Sequence, residues 1–149
     1  MQKKINQGIG VAAIILVFFT IISLAGCAKN QIYKPATYAE DSAMIYLFRP
    51  NHAFSRGNML RVYVNEERKD NLLNNAYLPI EVKPGKVTLK LMTDELLTSG
   101  KLDSLDMNVE RGETYFVKAN PGILGAFSMV LLSEEEGEQE IKNKYLYEQ

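Results

Sequence analysis

The chain is poor in the residues that carry most site chemistry. It has one cysteine, Cys27, and one histidine, His52. One cysteine cannot pair with itself, so a disulfide framework within the chain is excluded. Basic and acidic side chains nearly balance, 17 against 18, for a formal charge of −1. With no basic excess, nucleic-acid binding has no electrostatic support. Neither Gly-x-Ser-x-Gly nor the phosphate-cradling glycine loop with its lysine occurs. What the chain does have is apolar material. At 149 residues and 46% hydrophobic, it holds one packed domain plus extras.

That material is unevenly spread. Lys3 and Lys4 form a positive start, and residues 9–22 then carry no charge. Small residues follow at Ala25 and Gly26. This is the layout of an export signal, in which the positive end stays behind while the apolar helix enters the bilayer. Residues 8–28 are also long enough to be considered as an uncleaved span. The local pattern decides between the two. Leu24, Ala25, Gly26 and Cys27 resemble the lipobox of bacterial lipoproteins. The resemblance implies a thioether-linked diacylglycerol on Cys27, cleavage between Gly26 and Cys27, and often a further acyl chain such as palmitate on the freed amine. Two or three chains anchor a protein stably, at about 0.8 kcal/mol per buried methylene. Losing Lys3 and Lys4 with the leader makes the charge of −1 two units more negative. Ala28 follows the cysteine where aspartate would signal retention in an inner membrane. The expected location is therefore the cell envelope, on the periplasmic side of an outer membrane where there is one.

Residues 27–41 are polar with scattered tyrosines and follow no period. They read as an acylated tether that lifts a domain off the bilayer, part of which can pair as an edge strand. From residue 42 to 133, short apolar stretches alternate with turn residues every 8–12 positions, the mark of an all-β sandwich. "AMIYLFR" is apolar on both faces, which suits a central strand ended by Pro50. "MLRVYV" and "KVTLKLM" alternate, and "RKDNLL" is a weaker strand. "YLPIEV" carries Pro79, which lacks an N–H and predicts an edge strand. Pro84-Gly85 and the "ERGE" around Gly112 predict turns with positive φ at glycine, the second a hairpin returning through "TYFVKA". "SMVLL" is the last strand. "SEEE" at Ser133 is a capping box, predicting a short C-terminal helix over residues 134–144 docked by Ile141 and Tyr145.

The stretch from residue 43 to 144 resembles a bacterial lipoprotein family, domain of unknown function 2846. The residues that carry the likeness are "IYLFRP" ending at Pro50, "VYVN" ending at Asn65, Tyr77 with Pro84-Gly85, "GETY" from Gly112, and Pro121-Gly122 through Gly125. Members usually show glycine where this chain has Glu66, and often where it has Ala76. The resemblance implies a β-sandwich of the transthyretin, carboxypeptidase-regulatory or immunoglobulin kind on a lipid anchor, and no assigned activity.

Candidate sites are few. His52 lies in a loop and lacks an obvious partner for general-base work. With Cys27 acylated, no thiol remains for a Cys/His pair or a zinc site. "DMNVERG" faintly echoes a calcium loop, but Met107 and Val109 fit the inward side of a strand with Asp106, Asn108 and Glu110 on its wet face. Arg49 is expected to pair with an acid or to cap carbonyls of a neighbouring loop. The "PGILGAF" loop is the candidate partner-binding loop through Ile123, Leu124 and Phe127, unless these fold back to close one end of the sandwich. The expectation is a non-enzymatic binding or structural module without metal or cofactor. It meets lipid through Cys27 and an envelope protein as partner. The alternative is an enzyme built from scattered carboxylates and His52.

Overall fold

The computed structural model describes residues 31–53, 56–93, 100–122 and 126–146. Leu24, Ala25, Gly26, Cys27, Ile123 and Leu124 lie outside the described residues. Among the described residues ten strands form two packed sheets with one helix, so the all-β sandwich with a short C-terminal helix is the architecture. The strands are β1 (Gln31–Ile32), β2 (Ala43–Phe48), β3 (Leu60–Val64), β4 (Glu67–Leu72) and β5 (Ala76–Val82). They continue with β6 (Gly85–Thr93), β7 (Gly100–Val109), β8 (Thr114–Pro121), β9 (Phe127–Leu132) and β10 (Tyr145–Leu146). The helix α1 spans Glu134–Ile141. The first sheet runs β1-β10-β5-β2-β8-β9 and the second β4-β3-β6-β7.

Each strand's side-chain pattern decides its place. β2 is buried at all six positions. Ala43, Ile45 and Leu47 enter the core between the sheets, and Met44, Tyr46 and Phe48 form a second cluster on the other face. Such a strand needs neighbours on both edges and cover on both faces. It pairs antiparallel with β5 and parallel with β8. β3 and β6 alternate instead, with Leu60, Val62, Val64, Val87, Leu89 and Leu91 inward. Their sheet therefore buries one face only.

The Pro79 expectation has a geometric basis. Arg49 N donates to Ala76 O at 2.9 Å, so the hydrogen-bonded pairs across β2 and β5 fall at Leu47–Leu78 and Ile45–Ile80. Tyr46–Pro79 lies between them, and the proline nitrogen faces away from β2. On that outer side β10 pairs only with Ala76 and Tyr77. The rest of β5, including Pro79, is a free edge.

Three expectations change. The turn at Gly112, with φ +77, does not close a hairpin. β7 stays in the second sheet while β8 crosses to the first, where Gly112 N donates to Ser42 O at 2.8 Å. β8 carries Phe116 into the outer cluster and Val117 and Ala119 into the core, while its Lys118 pairs with Glu140 of the helix, so it is covered on both faces beside β2. Second, the expected tether is docked from residue 31 onward, because its tyrosines fill the outer face of the first sheet. Third, the helix ends at Ile141, and Tyr145 lies in β10 rather than on it. Of the two alternatives for Phe127 the structure has the inward one: it is 4% exposed and opens β9 inside the core.

The capping box forms as expected, with Glu136 N donating to Ser133 Oγ and Ser133 N donating to Glu136 Oε2. α1 lies on β8 so closely that a Cβ on Gly137 would stand 2.2 Å from Phe116 Cβ. Ile141 is fully buried in the same contact.

Candidate functional site

The most densely built polar and aromatic assembly is the seam that fastens residues 31–41 to the first sheet. Tyr33 stands edge-on to Tyr46 and Tyr77, with ring centroids at 5.2 and 5.5 Å. Tyr46 in turn stacks on Phe116 at 5.5 Å. These pairings add to simple area burial, because ring edges and faces carry opposite partial charge. The backbone is pinned at intervals. Tyr33 N donates to Lys144 O, Ala36 N to the Tyr46 hydroxyl at 2.6 Å, and Ala39 N to Glu81 Oε1 at 3.1 Å. The Tyr38 hydroxyl donates to Gly112 O at 2.8 Å, tying the strap to the inter-sheet turn. Burial pushes the Tyr33 phenol up, as do its charge and hydrogen-bond interactions with Tyr46, and burial raises Tyr77 as well. Both rings stay protonated at neutral pH and hold the strap as neutral hydrogen-bonding groups.

The two long sides of the sandwich differ. On one, Asp103 of β7 accepts from Met129 N of β9 at 2.5 Å, bridging the sheets. On the other, the free edge of β5 faces β4 across a shallow groove of about 350 Å³. Val64, Glu67, Lys69, Val82 and Lys83 are among the residues lining it. Exposed ion pairs border the groove, Lys69 with Glu67 at 2.9 Å and Lys83 with Asp41 at 2.8 Å. The Lys83 ammonium hydrogen-bonds the Asp41 carboxyl and holds it below its usual range. The groove is wet and charged, suited to a polar chain laid along the β5 edge more than to an enclosed small molecule.

Arg49 behaves as expected of a carbonyl cap. It is 0% exposed, and its Nη1 donates to Asn58 O at 2.6 Å in the following loop. Its guanidinium also sits over the Phe127 ring, 4.8 Å from the centroid. Burial lowers it to about 10, which leaves it charged at neutral pH. Arg49 therefore organises the end of the sandwich where Phe127 enters the core. His52 is half-buried in the loop after β2, where its backbone N donates to Asn74 Oδ1 at 3.0 Å. In the "DMNVERG" stretch, Met107 and Val109 are buried and Asp106 is exposed. Asp106 accepts from Thr88 Oγ1 at 2.7 Å and pairs with Lys86 at 3.2 Å, so it serves the wet face of β7. Among the described residues no group of three or more His, Cys, Asp or Glu side chains is placed to hold a metal.

The strap residues Tyr33, Ala36 and Tyr38 were missed by pattern reading. The one signal for them was aromatic residues recurring in an otherwise polar stretch.

These features define a two-sheet β-sandwich with one outer face sealed by a strap and a helix. The model of a family of proteins of unknown function, DUF2846, matches residues 39–123, and the chain belongs to that family. The match takes in β2 to β8, so residues 31–38 and α1, which cover the first sheet, lie outside it. No curated protein matches the chain.

Proposed function

We propose that the protein is a lipid-anchored lipoprotein of the cell envelope whose sandwich serves as a non-catalytic binding or structural module. The observation that carries this reading is Leu24-Ala25-Gly26-Cys27 placed directly after a charge-free apolar run with a lysine start. Membrane lipid is one partner, through acylated Cys27. An envelope protein is the other, and the open β4–β5 side supports this. There β5 offers unpaired backbone groups and the groove offers charges of both signs. The membrane is the outer one, on its periplasmic side, where the cell has two.

Metabolic labelling with radioactive palmitate tests the anchor. Label is expected on the wild-type protein and absent from Cys27→Ala. Label on both, or on neither, rejects it. The module reading is tested by crosslinking from a photoreactive residue at Lys69 in intact cells, followed by purification from detergent. A recurrent protein adduct is expected, and repeated recovery of the uncrosslinked chain alone counts against it.

A further inference from the structure

The docked strap changes what an anchor at Cys27 would do. Residues 28–31 are all that separates Cys27 from Ile32, the second residue of the edge strand β1. Fully extended, that stretch reaches at most about 17 Å. A tether free to residue 41 would reach roughly 50 Å, more than the width of a domain of this size, about 35 Å. The long tether would let the domain turn in any direction. The short one does not, because the fastened strap carries the first docked residue to one particular end of the molecule.

That end is where β1 meets β10, Asn75 and the start of β5, through Tyr33 N to Lys144 O and Tyr145 N to Asn75 O. It presents Ile32, which at 59% is the most exposed large hydrophobic residue among the described residues. Lys34 is exposed two residues further on. An exposed aliphatic side chain with a lysine beside it, a few residues from an acyl chain, suits the boundary between headgroups and acyl tails. Residues 33–41 then run along the outer face of the first sheet to Gly112, which places the Gly112 and Pro84-Gly85 turns at the opposite end.

We infer that the β1–β10 end of the sandwich lies against the lipid surface, with Ile32 seated in the headgroup layer and the Gly112 end directed away from it. The inference rests on acylation of Cys27 as proposed above. It gives the domain a fixed face toward the bilayer rather than a free position on a leash. It also holds the β4–β5 groove, whose lining includes Lys83, Pro84 and Lys86 near the far end, away from the lipid, where a partner can reach it.

The test uses the purified full-length mature lipoprotein in vesicles of phosphatidylethanolamine and phosphatidylglycerol. Nitroxide labels are placed at Ile32→Cys and, separately, at the exposed Asn108→Cys near the far end, with folding checked by circular dichroism. Access to a water-soluble nickel reagent is compared with access to oxygen, which concentrates in lipid. The nickel-to-oxygen ratio is expected to be at least fivefold lower at Ile32 than at Asn108. Equal ratios in protein whose N-terminal mass shows acylation overturn the seating, leave the lipoprotein reading standing, and return the β1 edge to a protein partner. An N-terminal mass showing an intact leader or a free thiol overturns both.

Discussion

On the first sheet the outward side chains Met44, Tyr46, Phe48 and Phe116 are buried, under a strap on one half and α1 on the other. On the second sheet the outward side chains Arg61, Tyr63, Thr88 and Lys90 remain half-buried at most. The inner faces are alike, a continuous aliphatic core. The difference shows how the fold is layered. One sheet is the middle of a three-layer stack and the other is its outer wall. Stability should therefore respond to changes on the outer face of the first sheet as it does to core changes. The outer face of the second should tolerate them.

Phe116→Ala should give the largest effect. It empties the contact between β8 and α1 and is expected to cost about 4 kcal/mol, read as a fall in denaturant midpoint. The matching change on the open sheet, Thr88→Ala, should stay within about 0.5 kcal/mol. Similar losses for the two would break the comparison.

Gly137→Ala comes next. Alanine favours a helix by up to about 1 kcal/mol over glycine, but here its Cβ meets Phe116 at 2.2 Å. The clash should win, with a net loss of about 2 kcal/mol and loss of helix signal before the sheet signal. A stabilised variant would mean that α1 is not seated on β8. Tyr46→Phe keeps the ring and removes the acceptor for Ala36 N. A loss of about 1 kcal/mol is expected, with faster amide exchange confined to the strap. Uniform exchange across the sandwich would contradict a separable strap.

Glu66→Gly should act in the opposite direction. Asn65 and Glu66 form the β3–β4 turn with φ of 50° and 70°, both in the left-handed region. Glycine adopts that region at no steric cost. Relief of about 1 kcal/mol should exceed what is lost with the exposed Glu66–Lys90 ion pair. The smallest effect concerns acid. Hydrogen bonds from Ser133 hold the Glu136 carboxyl below its usual value. The capping box therefore stabilises α1 fully above the ordinary glutamate pKa and loses that contribution as pH falls through the lowered one. Ser133→Ala should flatten this acid-side slope in a pH series of melting curves.

Much of the architecture was legible locally. Alternation in "LRVYV" and "KVTLKLM" marked the half-buried strands, the run "AMIYLF" marked a strand covered on both sides, and "SEEE" marked the helix start. Gly85 and Gly112 take positive φ as their turns require. What escaped depends on distant partners. No local pattern says that β8 leaves β7 to pair in parallel with β2, a strand about seventy residues earlier. The strap has no period, since single tyrosines spaced along it drop onto an aromatic face built by β2, β5 and β8. Phe127 allows two readings in the sequence because its partners, Arg49 and the core, lie far away along the chain. The proposed lipid-attachment motif is local by nature, because a processing enzyme would read residues that adjoin in sequence.

The proposed anchoring requires Cys27 to be the first residue of the mature chain and the point of lipid attachment. Intact-mass and N-terminal peptide spectrometry of the protein purified from membranes measures this directly. The predicted result is a chain beginning at Cys27 that carries a diacylglyceryl group, with or without an added palmitoyl. A chain that keeps residues 1–26, or one that begins at Cys27 with a free thiol, would contradict it.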